Sequence, residues 1–404
     1  MRRERSERAI PTALRNERLL TAHRATTRTM LFMPYFFHFT TAIRGLSPAE
    51  FGVVIGVYYG AAVLAEVPSG VVADRLGRRS ALVLGATANL LGCLVFTWAH
   101  DLWSFVLGEL CFSAGVSLMS GADSALLYDS LAAEDRSGRY VRSEGRMQAA
   151  WLLTTALGLP LTDWLLVRDG DPVLAVWATL ALAGLGLVCA LALREPARAR
   201  VKSSRDITRG ALAQVARRGD VLSIVVYSVG VFVLLRVAIT CFFNPVLQEA
   251  GVPIQAWGSV LAGINVVGGI AAWQGPRWQE WLGVRTLLVG MPVVLVAMYA
   301  ALATGTLAGV ALLGLQAAIL GVHPTVVRTL LNQRVSSAAH RATLLSVESL
   351  ACRLATGAVS AFAGWSLGAL ELGTAILVCA FLGCLPFLAL PFTLIAREPP
   401  HERA

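Results

Sequence analysis

Glu66, Glu109, Arg236, Glu348 and Arg353 are ionisable residues set within long apolar runs. An isolated charge there costs roughly 2.5–3.5 kcal/mol on insertion scales, so each is expected to pair, to carry a proton or to bind a ligand. Glu66, in the inner half of its run, reads as a protonatable group or as the partner of a nearby arginine. Glu109 lies about two turns into its run and reads as a protonation site, a contact for a cationic solute or a boundary residue. Arg236 and Arg353 suit an anionic group or a carboxylate such as Glu109. Glu348 precedes Arg353 by five residues, so the two point to different parts of a helix surface. His38, among aromatic residues, is a candidate proton carrier or a packing residue. Tyr35, Asn265 and Gln316 are polar groups that a cavity could use. The densest charge lies in Gly70-Val71-Val72-Ala73-Asp74-Arg75-Leu76-Gly77-Arg78-Arg79. Asp74 and the arginines can form a charge network that locks neighbouring helices. Gly70 permits close packing, and Gly77 permits a turn with positive φ.

These residues must be held by membrane-length elements. The chain has 404 residues, of which 56% are hydrophobic and only 15% charged, and its mean hydropathy is +0.65. That is a membrane composition, since soluble chains are nearer about a quarter charged. Apolar runs of about 18–25 residues can each cross a hydrocarbon core. The net charge of +9 is carried by arginine, with Lys202 the only lysine. These cations lie between the runs, which points to membrane topology rather than to nucleic acid. The seven cysteines all fall in apolar segments and lack metal-ligand spacing, so they read as packing residues. No loop carries a nucleophile elbow, a phosphate-binding loop, a metal cluster or a paired catalytic carboxylate. The chain therefore reads as a non-enzyme without cofactor, and any uphill work it does must draw on an ion gradient.

In order, a basic tail over residues 1–22 precedes a first span around 25–43, with Arg24 and Arg28 reaching back towards the cytoplasm. Spans follow at 49–72, 80–99, 102–130, 141–167 and 171–193. A basic linker covers 194–220, and six further spans fit at 221–246, 255–275, 285–304, 307–332, 341–367 and 370–395, before a tail over 396–404. The expected bodies are 23–193 and 221–395, with both termini cytoplasmic by the positive-inside rule. No cleavable leader is evident, so the first span is expected to serve as the insertion signal. An offset of 206 positions, without a gap, superposes Gly52 on Gly258, Asp74 on Glu280, Gly77 on Gly283 and Arg79 on Arg285, which reads as an internal repeat.

The spacing of Gly70, Asp74, Arg75, Gly77, Arg78 and Arg79 resembles the signature between the second and third spans of the major facilitator superfamily. The resemblance implies an all-α polytopic fold, twelve transmembrane helices in two pseudo-symmetric six-helix bundles, rocking about a midplane cavity. It implies a secondary transporter acting on a small-molecule substrate in the bilayer with a proton or other coupling ion. A monomer in the bacterial inner membrane is expected. The segment Ser120 to Ser130 resembles a pattern of a bacterial subgroup, by which Asp129 would pair with arginines of the 70–79 loop and hold a cytoplasmic gate shut. Glu109 stands where proton-coupled members often carry an arginine. Protonation of Glu109 or Glu66 is then expected to shift the balance between states. The aromatic first span favours efflux of a small amphipathic molecule. The alternatives are uptake of a small, possibly anionic metabolite, or a sensor or scaffold with the transporter fold.

Overall fold

The structure, a computed structural model, describes residues 11–165, 167, 171–196, 219–334 and 338–388. Most of the expected linker, residues 1–10 of the first tail, the end of the last expected span and the whole tail over 396–404 lie outside them. Among the described residues every regular element is helical. Eight helices among the described residues are long and apolar enough to cross a membrane. The other expected spans are helical too, but more polar or shorter. The chain divides into two compact units, one of residues 1–39, 43–45 and 61–200, the other of 40–42, 46–60 and 201–404.

The first unit contains α1 (Thr12–Arg28), most of α2 (Pro48–Leu76), α3 (Arg78–Trp98), α4 (Leu102–Met119), α5 (Ala122–Ala132), α6 (Tyr140–Leu165) and α7 (Val173–Ala192). Helix α1 begins at Thr12, inside the stretch read as a tail. Its polar side chains face protein: Asn16 and Glu17 are buried with Ala13 and Leu20. Asn16 Nδ2 donates to Ser130 Oγ and to the Arg194 carbonyl, and Glu134 accepts from the Ala13 amide at the helix start.

The first span is broken after Arg28, where Thr29 turns extended. Side chains supply the hydrogen bonds that the break removes. Asn89 donates to the Thr27 carbonyl, Trp151 to the Arg28 carbonyl, and Thr179 accepts from the Leu31 amide. Irregular backbone inside a span needs such partners. The chain then returns to helix and ends in a π-helical turn, Phe39–Ile43.

Most aromatic residues of this span are core. Phe32, Phe36 and Phe39 are all under 5% exposed and contact Phe96, Phe105 and Phe112 edge-on or stacked. They line the interior of the unit, while Phe37 is half-buried. Helices α3 and α4 approach at backbone distance, since a Cβ on Gly115 would lie 2.9 Å from the Gly85 carbonyl. Helix α4 starts with a capping box in which Asp101 and Ser104 satisfy each other's backbone amides. Those hydrogen bonds hold the Asp101 carboxyl below the usual carboxylate range.

The second unit contains α8 (Gly219–Val237), a π-helical turn (Ala238–Phe242), α9 (Phe243–Glu249), α10 (Trp257–Leu302), α11 (Leu307–Arg334), α12 (Ala338–Ala369) and α13 (Leu372–Leu388). The first part of α2 packs here against α12, where a Cβ on Gly364 would lie 2.5 Å from the Gly52 Cα. Helix α10 is interrupted at Gly283, with φ 76° and ψ 148°. Gly77, its partner in the internal repeat, has φ 99° and ψ 155°. The two glycines make the same left-handed turn between successive helices, so the repeat extends to the backbone.

Candidate functional site

The largest cluster of buried charge lies in the first unit and joins three of its helices. Arg24 on α1 is 3% exposed, as is Asp123 on α5. Arg24 Nε donates to Asp123 Oδ2 at 2.8 Å, Nη1 to Glu144 Oε1 on α6 at 2.6 Å and Nη2 to Ser124 Oγ at 2.9 Å. Arg28 Nη2 donates to the same Asp123 oxygen at 3.1 Å. Two cations and two carboxylates thus form a neutral set in which Asp123 is shared. Glu144 Oε2 is buried without a hydrogen-bond partner.

The backbone explains how Asp123 comes to be there. The expected fourth span is broken at Ser120 and Gly121, and Gly121 adopts φ 75°. Asp123 therefore sits in the first turn of a new helix, where exposed amides favour a carboxylate. Its other oxygen accepts from the Ser124 amide at 2.8 Å. Ala13, tied to Glu134, marks the loop end of this unit. Arg24 lies eleven residues further on, about 16 Å along the helix axis, or half the depth of a hydrocarbon core.

Two neighbours extend the set. His23 is 1% exposed, and its Nδ1 lies 2.9 Å from the Gly186 carbonyl. A carbonyl only accepts, so Nδ1 carries the proton and Nε2 presents a lone pair, which has no partner. About two turns towards the loop end, Glu17 accepts from Ser143 at 2.8 Å and pairs with Arg146 and Arg139.

The 70–79 loop holds a second, more exposed set. Arg78 Nη1 pairs with Asp129 at 2.5 Å and donates to the Ala125 carbonyl. Glu195 accepts from the Arg78 and Arg79 amides at 3.0 and 2.7 Å, capping α3. A Cβ on Gly77 would lie 3.2 Å from the Glu195 carboxylate. Glu195 was missed in the sequence because it follows the sixth span by position alone. Asp74 and Arg75 are exposed and make no ion pair with a described residue, while Gly70 has open space around it. Glu195→Ala is expected to lower stability by about 1 kcal/mol, the usual worth of a helix cap. Glu195→Gln should lose less; equal thermal unfolding of wild type and both variants in detergent would refute the cap.

The other candidate residues separate. Tyr35 is fully buried and donates to Asp163, itself 4% exposed. Gln316 is 2% exposed and its amide donates to the Leu235 carbonyl. Both side chains are interior, and Gln316 Oε1 is buried without a hydrogen-bond partner among the described residues. Glu109 is 6% exposed, with neither an ion pair nor a hydrogen bond to a described residue. Glu66, His38, Asn265 and Arg353 are half-buried. In the second unit Ser228 donates to Glu348 and lies 3.4 Å from His323 Nε2. Arg236 Nε donates to the Tyr59 hydroxyl at 3.4 Å.

The family model described as Major Facilitator Superfamily matches residues 21–344. The inner membrane transport protein YajR of Escherichia coli (strain K12) is 26% identical over 107 residues, 26% of this chain and 23% of that protein. The chloroplastic D-xylose-proton symporter-like 3 of Arabidopsis thaliana is 41% identical over 78 residues, 19% of this chain and 14% of that protein. These alignments span a quarter or less of each relative. Among solved structures, the nucleoside transporter NupG superposes with a TM-score of 0.75 at 14% identity, covering 96% of this chain and 100% of that one. A D-xylose-proton symporter superposes with a TM-score of 0.70 at 15% identity, covering 96% and 98%.

Proposed function

This chain belongs to the major facilitator superfamily, and on that premise we propose that it is a proton-coupled secondary transporter whose coupling site is the Arg24–Arg28–Asp123–Glu144 cluster. The observation that carries the reading is one carboxylate, Asp123, shared by two arginines beside a second carboxylate with an unpartnered buried oxygen. The set is neutral as it stands. A proton taken up on Asp123 makes it +1 and weakens the hold on Arg28, whose side chain is 36% exposed. Arg28 lies over the Trp151 ring, 5.9 Å from its centroid, so its release would alter the surface that α1 and α6 present. Protonation thereby becomes a change in the contacts between helices, which is what coupling requires. Glu109 has no such lever, because it holds no partner among the described residues.

The amphipathic cargo expected from the aromatic first span loses part of its support, since Phe32, Phe36 and Phe39 pack in the core. A small polar solute suits the structural neighbours, whose names specify a nucleoside and D-xylose with protons. The test is transport in proteoliposomes supplied with a mixture of metabolites, each quantified by mass spectrometry, with a pH gradient imposed in either sense. At least one solute should move uphill under the gradient, and a protonophore should abolish the movement. Solutes that only equilibrate, with or without the gradient, would refute the coupling; the sense that drives uphill movement gives the direction.

A further inference from the structure

In the first unit buried Arg24 has Asp123 and Glu144 beside it and half-buried Arg78 has Asp129, while half-buried Arg15, Arg44 and Arg79 donate to backbone carbonyls near helix ends. Arg236 has neither an acid nor a carbonyl for its charge among the described residues. It lies near the end of α8, half-buried, and its one hydrogen-bond partner among the described residues is the Tyr59 hydroxyl. No carboxylate of a described residue lies within ion-pair distance. A cation without a counter-charge in a membrane span is unfavourable unless a ligand supplies the charge.

The surroundings hold this arginine in place. The Leu234 carbonyl accepts from the Tyr299 hydroxyl at 2.8 Å, and the Leu235 carbonyl accepts from Gln316. The π-helical turn Ala238–Phe242 follows directly. Such turns leave backbone carbonyls for side-chain donors and recur at functional sites. Tyr59 is 5% exposed and its ring meets that of Tyr58 at 5.2 Å. Gly357 on α12 makes room for it, since a Cβ there would lie 3.0 Å from the Tyr59 Cβ.

The hydrogen-bonding inventory is one-sided. Tyr59 accepts from Nε and keeps its own proton to donate. The two terminal nitrogens of Arg236 remain as a planar fork of donors, which matches a carboxylate in bidentate geometry. Resting on the transporter reading above, we infer that Arg236 and Tyr59 form the anion-binding site of this protein, and that its solute is a small organic carboxylate. A proton carried with a monoanion would also make the translocated pair electroneutral.

The test uses the purified full chain in detergent, without a gradient. Its thermal stability is measured against matched pairs: benzoate and benzamide, nicotinate and nicotinamide, succinate and succinamide, with inorganic phosphate as a separate arm. A carboxylate should raise the unfolding temperature where its amide does not. Its affinity should fall at least tenfold in Arg236→Gln, fall less in Arg236→Lys, and fall in Tyr59→Phe. Without ligand, Arg236→Gln should unfold at or above the wild-type temperature, because it removes an uncompensated charge. A lower temperature would mark a structural arginine and overturn the inference. So would a panel in which no carboxylate separates from its amide, phosphate alone binding, or unchanged binding by Arg236→Gln. Proton-driven transport that survives in Arg236→Gln refutes this site alone. Carboxylate binding without gradient-driven transport refutes the coupling reading alone.

Discussion

Arg24→Leu should destabilise the protein by about 3–5 kcal/mol, the usual loss when one partner of a buried ion pair is removed. The guanidinium is 3% exposed and serves three acceptors on two other helices: Asp123, Glu144 and Ser124. After truncation Asp123 keeps only Arg28, and Glu144 loses its cation. Arg24→Lys should recover part of the loss, since an ammonium restores the charge but not the fork. Arg24→Leu combined with Asp123→Leu and Glu144→Leu should be more stable than Arg24→Leu alone, because the one charge then left without its partner is Arg28, whose side chain is 36% exposed and can reach solvent. Thermal unfolding in detergent, read by intrinsic tryptophan fluorescence, measures all three. A triple variant no better than the single one would show that the arginine acts by packing rather than by charge.

Much of the scaffold was legible because membrane insertion writes itself into composition. The 70–79 loop, the apolar runs and the alignment of Gly77 with Gly283 all depend on local sequence, and the structure gives both glycines the same turn. The coupling cluster was not legible, for two reasons. A hydropathy reading starts the first span at 25, since Arg15, Glu17, Arg18 and Arg24 make the preceding turns polar. In the folded chain Glu17 and Arg24 are buried against α5 and α6, Arg15 reaches the Ala192 carbonyl of α7 and Arg18 stays exposed, so one face of the polar helix is buried by partners rather than by its own composition. Asp123 is also 99 positions from Arg24, and no spacing rule joins them. A signal did exist. Asp123 is an acid inside a membrane-length run, the same test that singled out Glu109, and Gly121 two residues earlier permits the break that exposes it. Tyr35 and Gln316 show the converse: a polar group in a span can be taken by a neighbouring acid or carbonyl, although Gln316 Oε1 keeps no partner among the described residues.

Asp123→Asn should abolish uphill transport, lowering gradient-driven accumulation in proteoliposomes more than tenfold, a coupling loss of at least about 1.4 kcal/mol. The amide is nearly isosteric and can still accept from the Ser124 amide, so the break at Gly121 should persist. What changes is charge. The four-residue set becomes permanently +1, the state that proton uptake would otherwise create and proton release would reverse. Arg28 loses the one carboxylate it pairs with among the described residues, while Arg24 keeps Glu144. A transporter fixed in that state can still exchange labelled for unlabelled solute across the membrane, because exchange needs no net proton movement. It cannot convert a pH gradient into a solute gradient. Retained exchange with lost accumulation would therefore separate coupling from folding and from solute binding in a single preparation. Accumulation at the wild-type level would remove Asp123 from the mechanism, whatever its part in stability. Loss of both activities in a folded variant would instead make the cluster part of the moving machinery itself.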